Sequence, residues 1–171
     1  GLMINDKSFE LNTDFQPIIQ LNHNSTQYYS EIVFVGHGIV DSLYDDYGSI
    51  NVKGKAVLML GGSPSTYKPK RNGGFMSPSS SFGKVLSARN KGAVAVLVVE
   101  GNFPRKAGNA LGNMYTELYK DAQTPNTFII SEKTAEAITG AGWAEMKEKV
   151  KKEQLKPAVF PANTAIEFQK K

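Results

Sequence analysis

Cysteine is absent from the 171-residue chain, which excludes disulfides, thiolate metal sites and thiol catalysis together. Histidine is nearly as scarce. His23 and His37 are the only two, and they do not stand at the helical spacing of a zinc-binding pair. No serine sits in a G-x-S-x-G elbow, because Gly61-Gly62-Ser63-Pro64-Ser65 lacks the closing glycine. A phosphate loop fails too: Gly54-Lys55 is followed by Ala56, and Ser49 stands where the first glycine belongs. Gly36-His37-Gly38 opens like a dinucleotide fingerprint, yet Asp41 occupies the place of its third glycine. Long apolar runs are missing as well, since Ala93–Val99 is far too short to cross a bilayer. The stretch Gly1–Asp14 is mixed and polar, without the apolar run of a signal peptide.

What is present reads as a globular domain. Hydrophobic residues make up 40% and charged residues 21% of the chain, enough for one domain with a substantial core. The formal net charge of +4 permits an anionic partner without requiring one. Ile18–Asn22 reads as a short apolar stretch leading to an edge strand, and Tyr28–Val35 as a stronger strand closed by Gly36. Asp41–Ile50 reads as a loop. Val52-Lys53-Gly54-Lys55 turns into a buried strand, Ala56–Leu60, that stops at Gly61-Gly62. Residues 61–78, rich in glycine and proline, read as a long exposed loop. Ser79 or Ser80 caps a helix running to about Lys91, with Phe82, Val85, Leu86 and Arg89 at helical spacing and Gly92 as its stop.

Ala93–Val99 is the second buried strand, so strand, helix and strand form one β-α-β crossover. Residues 102–124 read as a second long loop with a helical turn around Met114–Lys120. Pro125–Ile130 gives another strand, and Ser131 starts a helix broken by Gly140 and Gly142. Trp143–Leu155 is a lysine-rich amphipathic helix ended by Pro157, and Thr164–Phe168 alternates as a last strand. The pattern predicts a β-rich α/β domain: a barrel or sandwich of about six to eight strands flanked by two or three helices.

Three clusters carry candidate chemistry, each with a plain structural alternative. Tyr44-Asp45-Asp46-Tyr47 is either a cation or amine site, as clustered carboxylates beside aromatics would make, or a solvated turn. His37, between two glycines, either reaches a neighbouring cleft or bonds backbone within its loop. Lys68-Pro69-Lys70-Arg71 either grips a peptide carboxylate or a partner domain, with Lys70 and Arg71 as contacts, or is simply solvated. The lysines of 147–156 alternate with Glu148 and Glu153 and lack interleaved stacking aromatics, so nucleic acid is not an expected partner.

The middle of the chain resembles a known family. Asn51-Val52-Lys53-Gly54-Lys55 with its following strand, Phe82-Gly83-Lys84-Val85, Gly92-Ala93-Val94-Ala95-Val96-Leu97 and Ile129-Ile130-Ser131 are similar, in order, to blocks of protease-associated domains. Asp14-Phe15-Gln16-Pro17, Glu31–Gly38 and Tyr44–Tyr47 resemble the version inserted in secreted di-zinc aminopeptidases. Gly61 and Gly62 stand where many members carry an arginine.

The resemblance implies a single insert over 1–171, with about 1–27 as lead-in and 157–171 as the strand returning to a catalytic domain outside this chain. It implies a non-catalytic module that shapes substrate access or binds peptide near the active site. The two zinc ions would belong to the catalytic domain of the same polypeptide, and the parent would be secreted, periplasmic or on the cell surface. The family's catalytic ligand motifs are absent from the sequence, so the resemblance carries no catalytic or metal-binding residue onto this chain. The rival expectations are a free-standing peptide- or carbohydrate-binding domain and a hydrolase using Asp45 or Asp46 with His37.

Overall fold

The computed structural model describes residues 1–69, 74, 77–101, 103 and 124–170. In chain order the strands are β1 (Leu2–Ile4), β2 (Lys7–Phe9), β3 (Phe15–Pro17), β4 (Ser25–Phe34), β5 (Val40–Asp41), β6 (Tyr44–Asp45), β7 (Ala56–Leu60), β8 (Ala95–Val99), β9 (Asn126–Ile130) and β10 (Ala158–Phe168). The helices among the described residues are α1 (Ser81–Asn90), α2 (Glu132–Thr139) and α3 (Trp143–Lys152). Eight strands form one mixed sheet in the order β2-β1-β10-β4-β7-β8-β9-β3, and β5 and β6 form a separate hairpin. The β4-β7-β8-β9 half is parallel; the pairings of β1, β2, β3 and β10 are antiparallel. The sheet curls into a nearly closed barrel, and a bridge between Leu11 and Phe15 draws its two ends toward each other.

The two all-apolar strands explain how the layers stack. A strand sends successive side chains to opposite faces, so an uninterrupted apolar run requires cover on both. Ala56, Leu58 and Leu60 of β7 and Ala95, Leu97 and Val99 of β8 face the barrel interior. There they meet Phe34, Phe128, Ile166 and the helix residues Ile138, Trp143 and Val150. Val57, Met59, Val96 and Val98 face outward and are covered by Ala88 of α1 with Val52 and Tyr47. The β7-α1-β8 crossover is therefore as the sequence pattern requires, and the architecture is the barrel rather than the sandwich.

Helix ends follow local chemistry. Ser80 Oγ accepts the Gly83 N–H at 2.9 Å, and Ser131 Oγ accepts the Thr134 N–H at 3.1 Å, so each serine satisfies an otherwise orphaned donor. Gly83 is a glycine for a steric reason. A Cβ there would lie 1.9 Å from the Ser77 carbonyl oxygen, which is backbone and cannot swing aside. Gly83→Ala should thus lower stability by about 2 kcal/mol, although alanine is the better helix former by about 1 kcal/mol. An unchanged or higher urea midpoint would show that this packing is not tight.

Several sequence expectations need correction. Ile18–Asn22 does not lead along an edge strand: Ile19–Leu21 is a 3-10 turn closed by Leu21 N–H to Ile18 O (3.0 Å) and Asn22 N–H to Ile19 O (3.2 Å). The edge is β3 instead, which tolerates Pro17, and the Ile18 N–H beyond it still donates to Thr127 O of β9 at 2.9 Å. Residues 2–17 contribute three strands to the barrel. The last strand starts at Ala158, six residues earlier than expected, because a bulge between Pro161 and Thr164 absorbs the proline. Asp41–Ile50 is not wholly loop, since it takes part in the β5-β6 hairpin. The expected turn at Met114–Lys120 lies outside the described residues.

Candidate functional site at the carboxyl ends of the parallel strands

In open parallel sheets, ligands meet the loops that leave the carboxyl ends of the strands. In this barrel those loops begin at Val35 after β4, Gly61 after β7 and Glu100 after β8. The β4 exit turns sharply through two left-handed glycines, Gly36 (φ 59°) and Gly38 (φ 68°). Gly36 O accepts the Leu60 N–H at 2.8 Å, and a Cβ on Gly38 would lie 2.6 Å from Met59 Cε. His37 is thereby folded inward and only 3% exposed.

The hairpin that follows carries the expected tetrad, but not as an exposed carboxylate pair. Tyr44 and Asp45 are half-buried, while Asp46 is 3% exposed and Tyr47 is fully enclosed. Asp46 Oδ2 accepts the Ile39 N–H at 2.9 Å, and its Oδ1 accepts Gln154 Nε2 at 3.3 Å, tying hairpin, β4 exit and the tail of α3 together. Burial pushes its carboxyl above the usual value, a desolvation effect larger than the lowering by the Ile39 N–H, Gln154 and Lys84. Asp45 has a different task. It accepts the Tyr47 N–H at 2.9 Å and pairs with Lys91 at 2.7 Å. Lys91 Nζ also sits 5.7 Å over the Tyr47 ring.

The physical consequence is an asymmetry between neighbours. Asp46→Ala leaves a buried N–H of Ile39 without its acceptor and should cost about 2 kcal/mol. Asp45→Ala removes a partly exposed ion pair and the acceptor of the part-buried Tyr47 N–H, and should cost about 1 kcal/mol, less than Asp46→Ala. Equal urea-melt losses in the two variants would contradict this division of labour.

Sequence reasoning missed two members of the site. Lys84, on α1, is 3% exposed, and its Nζ donates to Leu60 O at 3.0 Å and to Gly62 O. The available signal was its spacing, four residues before the buried Ala88, which places both on one helical face. Burial lowers the Lys84 ammonium to about 8, against the raising influence of Asp46 and Glu100. Tyr67 is the second. The expectation of a wholly exposed loop over 61–78 is corrected by buried Pro64 and Tyr67. Tyr67 donates its hydroxyl to Asp41 Oδ2 at 2.7 Å and meets Tyr44 edge-on at 5.1 Å between ring centroids. Above this support the hairpin tip presents Leu43, 91% exposed. Lys68 is exposed, and Lys70 and Arg71 lie outside the described residues.

The site therefore combines a buried floor (His37, Asp46, Lys84) with a hairpin lip (Leu43, Tyr44, Asp45). Among the described residues no group of three or more His, Cys, Asp or Glu side chains is placed to hold a metal ion. Nor is any helix among them long and apolar enough to cross a membrane.

No family model and no curated protein matches the chain. Among solved structures, an aminopeptidase from Aneurinibacillus sp. strain AM-1 is similar with a TM-score of 0.50 and 18% sequence identity. The match covers 96% of this chain and 32% of that one, so the chain spans about a third of the aminopeptidase's length. At that identity the likeness establishes a shared fold.

Proposed function

We propose that the chain is a non-catalytic module of protease-associated type, inserted in a zinc-dependent aminopeptidase and shaping substrate access to it. The observation that carries this reading is the pairing of the first strand, β1, with the last, β10. β1 lies antiparallel to β10, with Leu2 opposite Ile166 and Ile4 opposite Thr164, and the Glu167 N–H donates to Gly1 O at 2.9 Å. A unit placed within another domain must leave and re-enter it at nearly one point, and this arrangement provides that. The fold shared with part of an aminopeptidase supports the identity of the host.

In this reading the host supplies the two zinc ions and the hydrolytic chemistry, and it works outside the cytoplasm. The module's own partners are the host domain and a peptide substrate. Leu43, Tyr44 and Asp45 form the contact lip; His37, Asp46 and Tyr47 hold it in place, and Lys70 and Arg71, outside the described residues, remain candidate contacts with a peptide or the host domain. Such a lip acts by excluding bulky substrates and by apolar contact with accepted ones, without reacting.

Two measurements test the proposal. The isolated chain, supplied with zinc, should show no turnover of aminoacyl p-nitroanilides. In the parent enzyme, Leu43→Ser with Tyr44→Ser should change the ratio of kcat/KM between a short and a long peptide by about fivefold or more. Turnover by the isolated chain, or an unaltered ratio, would refute a non-catalytic, access-shaping role.

A further inference from the structure

The hairpin lip needs support from beneath, and one buried cation is placed to give it. We propose that Lys84 is a positioning residue whose ammonium fixes the root of the Gly61–Tyr67 segment and, through Tyr67, the β5-β6 hairpin. The importance of that hairpin rests on the access-shaping function, but the clamp itself does not.

The two carbonyls that Lys84 Nζ engages, Leu60 O and Gly62 O, flank Gly61. Between them the chain reverses away from the sheet. Gly61 N–H is bound to Val99 O at 2.8 Å, a Cβ on Gly61 would lie 2.9 Å from Glu100 Cγ, and Gly62 takes a left-handed φ of 76°. A turn this tight directs two carbonyl dipoles at one point, and a charged donor satisfies both more strongly than a neutral one. From Gly62 the segment is short and tied down. Ser65 N–H donates to Lys151 O and Tyr67 N–H to Pro64 O, each at 3.1 Å. The Tyr67 hydroxyl then holds Asp41 of β5 and its ring braces Tyr44 of β6. Lys84 thus stands at one end of a continuous relay of bonded groups, and the hairpin stands at the other.

An apolar side chain of similar length at position 84 would fill the same space and leave both carbonyls unanswered. Simple packing and clamping therefore predict different results. Lys84→Met and Lys84→Arg, with amide hydrogen exchange read residue by residue, separate them. Lys84→Met should speed exchange at Ser65 and Tyr67 by about tenfold while Leu97 in the sheet stays within about twofold, and Lys84→Arg should stay near wild type. The Tyr67 phenol, followed by a ring carbon label, sits at about 12 through burial and its bond to Asp41. It should fall toward the ordinary tyrosine value in Lys84→Met and not in Lys84→Arg.

Unchanged exchange at Ser65 and Tyr67 in Lys84→Met, or a uniform rise across all amides, would overturn the clamp. Should Lys84→Met fail to fold, Tyr67→Phe carries the test of the relay. It should accelerate exchange of the Asp46 N–H, which is bound to Ile39 O at 2.9 Å, by about fivefold; no acceleration would break the chain of support. None of these measurements needs a peptidase, so their failure would sink the clamp alone. Turnover by the isolated chain would sink the module reading alone.

Discussion

Val96→Asp should abolish cooperative folding or reduce the urea midpoint by most of its value. Val96 is completely buried at the centre of β8, paired in register with Val57 on one side and Thr127 on the other. Its side chain enters the outer core with Val33, Val57, Met59, Ala88 and Val98. A carboxyl at this point must either ionise in apolar surroundings or hold its proton far above the usual value, and both cost free energy. The expected loss is about 4 kcal/mol or more, comparable with the whole stability of many domains at about 5–15 kcal/mol. Val96→Ala separates polarity from volume, since it only opens a cavity and should cost about 1–3 kcal/mol. A Val96→Asp midpoint equal to that of the wild type would mean that α1 does not seal this face.

Such a position could be found in the sequence because its signal is local. Ala56–Leu60 and Ala95–Val99 are apolar throughout, which only a strand covered on both faces needs. The caps at Ser80 and Ser131 and the left-handed stop at Gly92 (φ 90°) are likewise decided within a few residues. The three-residue strands β1 and β2 are not local in this sense. They are too short to show a period and exist because β10 offers its edge, with Leu2 opposite Ile166 and Ile4 opposite Thr164.

The site divides the same way. Residue type and clustering singled out Tyr44–Tyr47 and His37 as candidates, but not their surroundings. Their burial depends on partners far along the chain: Gln154 for Asp46, Lys91 for Asp45, and Lys151 and Lys84 around His37. Aspartates in a hydrophilic stretch look solvated until those partners are known. For the same reason a lysine two residues after Phe82 looks like the outer face of its helix, and a tyrosine in a loop looks free.

Protonation of His37 should make the fold acid-sensitive, with a defined sign. Burial holds the imidazole down from 6.5 to about 4, and the positive charges of Lys84 on α1 and Lys151 on α3 push the same way. The unfolded chain therefore binds this proton more readily than the folded one between those two values. Stability from this group is complete above pH 6.5, declines as the pH falls and is lost as it passes about 4. At one pKa unit per 1.4 kcal/mol the swing is about 3 kcal/mol at most.

Asp46 acts in opposition. Its raised carboxyl contributes stability at low pH that is lost as the pH rises through its folded value. The wild-type slope is therefore a difference between the two, and comparing variants isolates the histidine. His37→Gln keeps a polar side chain of similar reach but takes up no proton. Urea melts at pH 4.5 and 7 should show the wild type losing more stability on acidification than His37→Gln, by about 2 kcal/mol. Lys84, lowered only to about 8, stays protonated across this range and does not enter the comparison. Equal losses in the two proteins would place His37 in contact with water or with a carboxylate, and would remove it from the floor of the site.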